Sequence, residues 1–192
     1  GFQSNHSNNL EHINPKLEDV LISLSSVLQS KIMEDFENYP EIVGSKSMIF
    51  FNEDLAASFQ AASKEDSYII DQIFLFVKNL YFGYNLGVEC CTLTLSYILR
   101  FLKLSNIPLF HGNWTNIVFS ATIISQKMCN IDYIKNLEFV TIFPNLSIGD
   151  INDMEKEFLK FFGFQYEIRR SFYENCFYIM FSACESELTP KW

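Results

Sequence analysis

Glycine and proline are scarce in this chain, with 7 and 5 residues among 192. Both residues make tight turns or end regular elements, so their scarcity favours long elements joined by few turns. No stretch alternates polar and apolar residues between turn dipeptides, which is the pattern of a half-buried strand. These absences argue against a β-sheet and predict an all-α fold.

The cysteines do not form the pattern of a disulfide framework or a zinc site. Their number, 5, is odd, and no two of them have C-x-x-C spacing. The cysteines are Cys90, Cys91, Cys129, Cys176 and Cys184. They are typical of small apolar side chains in a reducing compartment, so we expect an intracellular protein, cytoplasmic and/or nuclear. A redox or metal-binding pair at Cys90 and Cys91 is the alternative.

Positive charge is also scarce. Lys and Arg number 14 against 23 Asp and Glu, and the formal net charge is −9. Because phosphate binding needs clustered basic residues, we expect no nucleic-acid partner. The longest apolar runs are well short of the roughly 20 residues that a helix needs to cross a bilayer. Attachment to a membrane through an anchor is left open.

Apolar residues, by contrast, are abundant. They make up 48% of the chain, and Phe alone occurs 20 times, which implies a large core. Residues 1–14 are polar and rich in Asn, and we expect them to be disordered or a remnant of a tag. Residues 15–66 are predicted to form an N-terminal helix and a connecting segment, because apolar residues recur at three- and four-residue spacing from Leu17 to Ile32.

A denser helical pattern covers residues 67–165, which we predict to be one five-helix domain. The predicted helices are Tyr68–Phe82, Glu89–Leu104, Asn113–Met128, Asp132–Phe143 and a fifth that opens at Ser147 and ends before Gly163. Pro108 and Pro144 stop the second and fourth of them. Residues 166–192 are predicted to form a C-terminal helix over Ser171–Cys184 and a tail.

The third and fifth predicted helices carry the most specific pattern. The third ends in one Lys after small and apolar residues, SATIISQKM over 120–128. The fifth contains a Met-Glu pair at 154–155 and then FLKFFGF over 158–164. A Lys closing one helix, followed by a Met-Glu pair about one helix-turn-helix later, resembles a cyclin box. The fold implied is a single five-helix cyclin box with an added N-terminal and C-terminal helix.

Two further segments extend the resemblance from about Ser67 to Ile179. The second helix reads TLSYILRFL over 94–102, similar to a repeated apolar and Arg pattern of the family, and the third opens with Asn113-Trp114. Together the four segments most resemble the cyclin Y and PHO-type (PCL-like) group. The predicted helix from Leu17 is similar to the extra N-terminal helix of that group.

The resemblance implies a regulatory subunit that binds and activates a cyclin-dependent kinase. The kinase C-helix would dock in a groove between box helices three and five, flanked by Lys127 and Glu155. A helix presented to a partner has unpaired carbonyls at one end and unpaired amides at the other, so Lys127 can donate to the former and Glu155 can accept from the latter. The family further implies apolar contacts from Ile124, Met128, Leu159, Phe164 and Tyr166.

The chain departs from many cyclins at a buried ion pair and at a docking patch. An ungapped alignment places Leu75 and Leu99 at the positions of a buried Arg and its acidic partner, and replacing both charges by apolar residues can be neutral. We therefore predict that Leu75 and Leu99 contact each other. Lys78, between Phe74 and Tyr81, interrupts the apolar patch that docks Arg-x-Leu peptides, so we expect no such docking.

Two other classes of function were compared with kinase regulation. A cyclin-fold adaptor or scaffold without kinase activation is the alternative. Catalysis is not expected, because His6 and His12 lie in the polar N-terminus and His111 has no nucleophile or phosphate-binding loop beside it. For the same reasons no cofactor, metal or small-molecule substrate is expected.

Overall fold

The computed structural model describes residues 16–38, 69–130 and 132–188. The predicted disordered segment over 1–14, the connecting segment from 39 onward and the last four residues lie outside these ranges.

Seven helices make up the described part of the chain. They are α1 (Leu17–Glu37), α2 (Ile69–Gly83), α3 (Val88–Ser105), α4 (Trp114–Cys129), α5 (Asn136–Phe139), α6 (Ile148–Phe161) and α7 (Arg170–Leu188). No strand occurs in those ranges, so the predicted all-α fold is confirmed. Helices α2 to α6 correspond to the five predicted box helices, with α1 before them and α7 after them.

Helix α3 lies at the centre of the packing. It contacts α4 most extensively, and it also contacts α1, α6 and α7. Helix α1 packs in turn against α2 and α7, and α6 packs against α4. The helices before and after the box therefore pack against each other and against α3, so they belong to the same core as the box.

The predicted apolar stripe of α1 faces this core. Its fully or nearly fully buried residues are Val20, Leu21, Leu24, Leu28 and Ile32. Burying one such side chain contributes roughly 1.5–3 kcal/mol. Ser23 and Ser25 share the buried face because their hydroxyls donate to the carbonyls of Asp19 and Leu21, at 3.0 and 2.8 Å. Helix α1 is thus an integral part of the fold.

Aromatic pairs hold α6 against α3. The rings of Phe101 and Phe158 are stacked with centroids 4.5 Å apart, and Phe161 meets Phe101 edge-on at 5.0 Å. Phe162 packs on Tyr97 at 5.8 Å. Pairs of this kind contribute about 0.5–1.5 kcal/mol beyond the area that they bury. Phe158, Phe161 and Phe162 therefore serve the core, whereas Phe164, the fourth Phe of FLKFFGF, is exposed.

The ends of α6 follow local chemistry that the sequence predicts. Ser147 accepts a hydrogen bond from the Asp150 amide at 3.1 Å, and the Asp150 carboxylate accepts one from the Ser147 amide at 2.8 Å. At the other end, Gly163 and Phe164 both adopt the left-handed conformation, with φ of +56° and +59°. The Phe164 amide closes the helix by donating to the Leu159 carbonyl at 3.1 Å.

The fourth box helix is shorter than predicted. The expected helix over Asp132–Phe143 is reduced to α5, Asn136–Phe139. Its predicted first turn is extended instead, because the buried Gln126 side chain binds both the amide and the carbonyl of Ile134, at 2.8 and 2.9 Å. Hydrogen bonds from the Ile134 backbone to the Gln126 side chain take the place of helical hydrogen bonds, so they override the helical propensity of this segment.

The predicted contact between Leu75 and Leu99 is wrong. Leu75 is 57% exposed, because α2 turns the face with Ile73 and Val77 toward the core and leaves Leu75 on the opposite face. Leu99 instead lies against α1, lining a depression together with Lys31. The ungapped alignment at these two positions therefore does not describe this chain.

Lys78 is held by α1 rather than presented freely on α2. Its ammonium donates to the Glu18 carboxylate at 2.6 Å and lies over the Phe74 ring, 5.2 Å from its centroid. Tyr81, the third residue of the expected patch, is fully buried and bonded to the Thr94 hydroxyl at 2.7 Å. Of the residues expected at the docking patch, Lys78 is therefore engaged in an ion pair and Tyr81 is buried, so neither offers free apolar surface.

The buried carboxylate of Asp35 gives a test of the fold. Asp35 is 5% exposed, accepts from the Leu109 amide at 2.7 Å and pairs with Lys31 at 2.8 Å. We expect Asp35→Ala to lower the free energy of unfolding by about 3 kcal/mol, because it leaves the Leu109 amide buried without its acceptor. Denaturant unfolding monitored by circular dichroism measures this change.

Glu34 provides a matched control. Its carboxylate pairs with the same Lys31 at 2.9 Å but its side chain is 62% exposed. Glu34→Ala should therefore change the free energy of unfolding by less than about 1 kcal/mol. Equal effects of the two substitutions would contradict the structural role assigned to Asp35.

Candidate functional site

The end of α4 and the first half of α6 meet at one surface. Every residue of α4 from Ile117 to Gln126 is buried, and Lys127 is the first that reaches solvent. Short side chains permit this burial, and the hydroxyls of Thr122 and Ser125 donate to backbone carbonyls four residues earlier, at 2.8 and 2.7 Å. The position of Lys127 is thus set by the buried residues that precede it in α4.

Lys127 and Glu155 form an ion pair at this surface. The ammonium nitrogen lies 2.6 Å from Oε1 of Glu155, and the side chains are 25% and 17% exposed. The second carboxylate oxygen of Glu155 accepts from the amide of Asn136, also at 2.6 Å. The carboxylate is therefore held from α4 and from α5 at once, which fixes its orientation on α6.

Residues 132–136 lie between Lys127 on α4 and Glu155 on α6 and contact both, and we call them the linking segment. Gln126, which is fully buried, fastens this segment to α4 through the two hydrogen bonds to Ile134 described above. Asn136 also donates to the side chain of Asn152 at 2.8 Å. The Lys127 ammonium lies over the Tyr133 ring, 5.9 Å from its centroid. The segment thus positions both charged residues.

The apolar residues predicted for the site differ in their exposure. Met128, Phe164 and Tyr166 are 46%, 56% and 44% exposed, so they offer surface to a partner. Leu159 is partly buried against the core. Ile124 is only 4% exposed and belongs to the core, so in this structure it can support the site from below but gives a partner almost no surface.

The backbone around Phe164 is strained and anchored. A bulky residue with a positive φ is uncommon and costs on the order of 1 kcal/mol or more. The segment that follows is fixed to α3, because Tyr97 donates to the Tyr166 carbonyl at 2.6 Å and Arg100 donates to the Glu167 carbonyl at 2.9 Å. These bonds keep the exposed Phe164 and Tyr166 rings on a defined backbone.

Four residues of this surface escaped the sequence analysis. Tyr133, whose ring lies by the Lys127 ammonium, is 52% exposed, and Leu137, next to Asn136 in the chain, is 65% exposed. Asn136 binds Glu155, and Gln126 holds the linking segment. The two aromatic or aliphatic residues carry no periodic signal in so short a helix, and the two amides look like ordinary polar residues. No signal in the sequence marks any of the four.

The described residues contain no group of three or more His, Cys, Asp or Glu side chains that could hold a metal ion. Within the same ranges no helix is both long and apolar enough to span a membrane. Cys90, Cys91, Cys129 and Cys176 are free thiols. At Lys127 and Glu155 a donor and an acceptor are held in place and partly exposed, an arrangement suited to binding.

The described helices and this partly exposed ion pair define a helical protein with a candidate binding surface. The family model described as "Cyclin, N-terminal domain" matches residues 61–167, which is more than half of the chain. The chain therefore belongs to the cyclin family, whose members are in general regulatory partners of cyclin-dependent kinases. No solved structure gives a significant match.

A double-mutant cycle measures the coupling within the ion pair. Because both side chains are mostly buried and the pair has good geometry, we expect Lys127→Met and Glu155→Gln to be coupled by about 1 kcal/mol in the free energy of unfolding. Denaturant unfolding of the wild type, both single variants and the double variant gives this value. Additive effects of the two substitutions would show that the pair contributes nothing to stability.

Proposed function

We propose that this chain is a regulatory subunit that binds and activates a cyclin-dependent protein kinase. The kinase C-helix would dock between α4 and α6, which are box helices three and five. The observation that carries the proposal is the partly exposed Lys127–Glu155 pair. Met128, next to Lys127 in the chain, is exposed, and so are Phe164 and Tyr166, which follow the C-terminal end of α6. A charged pair next to exposed apolar side chains is suited to gripping an amphipathic helix.

The ion pair has capacity left for a partner. An ammonium has three donors and a carboxylate accepts about four hydrogen bonds, whereas Lys127 and Glu155 are joined by one bond and Asn136 supplies one more. Lys127 can thus donate to unpaired carbonyls, and Glu155 can accept from unpaired amides, without giving up their own pairing. Because the groups are already fixed, little side-chain entropy is lost on docking.

Apolar contacts would supply most of the affinity. Met128, Leu159, Phe164 and Tyr166 are proposed to contact the kinase directly, with Ile124 beneath them. Tyr133 and Leu137 extend the same exposed surface. Activation, as opposed to binding, requires that the chain bind the active arrangement of the kinase more tightly than the inactive one, because equal affinity shifts no population.

Within the cyclins, we place the chain in the cyclin Y and PHO-type (PCL-like) group, with a kinase of the kind that this group regulates. Helix α1, which packs on α2 and α3, supports this placement because that group has an extra N-terminal helix. Asn113 and Trp114 at the start of α4 also match the group. Asn113 is buried and bonds the Pro108 carbonyl and the Phe110 amide, at 2.8 and 3.0 Å.

The remaining expectations belong to the same proposal. The domain boundaries given above, with the box over 67–165, remain predictions. So do the intracellular location, in cytoplasm and/or nucleus, and the absence of nucleic-acid, cofactor and small-molecule partners. We propose no catalytic role for the chain itself.

A charge reversal tests the site without removing the ion pair. In the variant Lys127→Glu with Glu155→Lys the two side chains can still pair with each other, so we expect the Tm to change by less than about 3 °C. In this variant the carboxylate at position 127 faces the carbonyls of the kinase helix, and the ammonium at position 155 faces its amides, so both contacts become repulsive. The affinity for the kinase should therefore fall by about 100-fold or more, roughly 3 kcal/mol, measured by calorimetry against a panel of purified cyclin-dependent kinases.

The matched control reverses another pair on α6. Glu157 and Lys160 also form an ion pair, but at 100° per residue they lie on a different face of the helix from Glu155 and Leu159. Reversing them should change the affinity by less than about threefold. Equal affinity of the Lys127/Glu155 variant and the wild type would overturn the site. A kinase that binds but gains no activity would favour the adaptor function instead.

A further inference from the structure

A groove lies where α1, α3 and α7 meet, and we call it the α1–α3–α7 groove. Two adjoining depressions form it, with volumes of about 350 and 460 Å³, and both are lined by Lys31 of α1 and Leu99 of α3. The first depression extends to Pro108 beyond the end of α3, and the second extends to Ile179 on α7. Each volume alone is in the range of about 300–1,000 Å³ that is typical of binding pockets, so the groove can hold side chains of a partner.

The floor of the groove is apolar. Its larger apolar side chains come from all three helices and from the segment after α3, and they are Val27, Leu99, Leu102, Ile107, Pro108 and Ile179. Ile179 is 44% exposed, and Val27 and Leu99 are only partly buried against the core. Covering these side chains would remove apolar surface from water, which is the main driving force of association.

The acidic residues of the rim are engaged within the chain, whereas one basic residue is not. Glu34 and Asp35 both pair with Lys31, at 2.9 and 2.8 Å. Lys103, which lines the groove from the last turn of α3, is exposed and has no acidic partner among the described residues. Arg100, three residues earlier, donates to a backbone carbonyl and also lacks a carboxylate partner in those ranges. The α3 end of the groove therefore offers positive charge to a partner, over the roughly 8–10 Å that salt permits.

The walls of the groove favour a helical occupant over an extended one. They are helices, whose backbone groups bond within each helix, and the described residues contain no strand. An extended peptide would therefore find no sheet edge with which to pair its backbone. An amphipathic helix satisfies its own backbone and needs only a surface that buries its apolar face.

We propose that the α1–α3–α7 groove binds an amphipathic helix of a partner protein that carries Asp or Glu beside its apolar face. The apolar face lies on Leu99 and Ile179, and an acidic side chain pairs with Lys103. This groove is separate from the surface at Lys127. Lys103 and Lys127 lie in the last turns of α3 and α4, and only residues 106–113 join these two packed helices, so the two turns are at opposite ends of the pair. The proposal is therefore independent of the kinase site.

Fluorescence anisotropy with two synthetic peptides tests the proposal. Both are labelled helical peptides with Leu at three- and four-residue spacing, and one carries Glu beside the Leu stripe where the other carries Lys. We expect the Glu peptide to bind the folded chain at least about tenfold more tightly at low salt, and this difference to shrink in about 0.5 M NaCl, because exposed charges are screened. The net charge of −9 alone would favour the Lys peptide, so the expected preference reports the groove.

Single substitutions at exposed positions locate the binding. Lys103→Glu should weaken binding of the Glu peptide by about tenfold, whereas Lys156→Glu, the same change at an exposed Lys of α6, should alter it by less than about threefold. Ile179→Glu should also weaken binding by about tenfold or more, and Leu75→Glu, on the exposed face of α2, is its matched control. Circular dichroism and thermal unfolding confirm that each variant is folded.

Several outcomes would overturn the proposal. They are no binding of the Glu peptide at about 1 mM, which corresponds to roughly −4 kcal/mol, equal binding of the two peptides, and binding that Lys103→Glu and Ile179→Glu leave unchanged. A dimer in analytical ultracentrifugation that excludes the peptide and that Ile179→Glu dissociates would assign the groove to a second copy of the chain. A Glu peptide that binds only after residues 39–60 are replaced by a Gly/Ser linker would assign it to the chain's own connecting segment.

Discussion

The burial of α4 from Ile117 to Gln126 is the constraint on which the candidate site depends. Each of these residues is buried, so the helix has no solvent face between its first turn and its last. Short side chains permit this burial, and the hydroxyls of Thr122 and Ser125 are satisfied by carbonyls of the same helix. Lys127 follows directly, and its charge has to leave the core at that point.

The junction around Lys127 then follows from the neighbours of α4. Helix α6 is fixed to the core by Phe158 and Phe162, which leaves Glu155 one turn earlier and facing the Lys127 ammonium. The linking segment over 132–136 completes the arrangement through Gln126 and Asn136. Charge, backbone and amide groups are therefore fixed together, and the exposed apolar residues beside them stand on anchored backbone.

The sequence predicted most helices because their signals were strong and local. The stripe of α1, the cap at Ser147 and the turn at Gly163 depend on spacing and on single residues, so they could be found without knowledge of tertiary contacts. The family resemblance places Lys127 and Glu155 on the two sides of one groove, but it did not predict the ion pair that joins their side chains at 2.6 Å. Their functional role is a proposal here, supported by that geometry.

The errors arose where long-range contacts override local pattern. The segment from Asp132 has helical propensity, but Gln126 captures the Ile134 backbone and prevents the first turn. Leu75 and Leu99 were aligned without gaps, and α2 is rotated so that Leu75 points to solvent. Asn136 holds Glu155 through a neutral amide, for which no sequence pattern exists.

Site-specific cross-linking tests the central claim most directly. A photo-activated phenylalanine at position 128, in place of the exposed Met128, is mixed with a cyclin-dependent kinase that binds the chain, and the same group in place of the exposed Leu75 on α2 serves as the reference. The account predicts cross-links from position 128 to the kinase C-helix and none to that helix from position 75. Cross-links to the C-helix from position 75 alone, while the complex is intact, would contradict it.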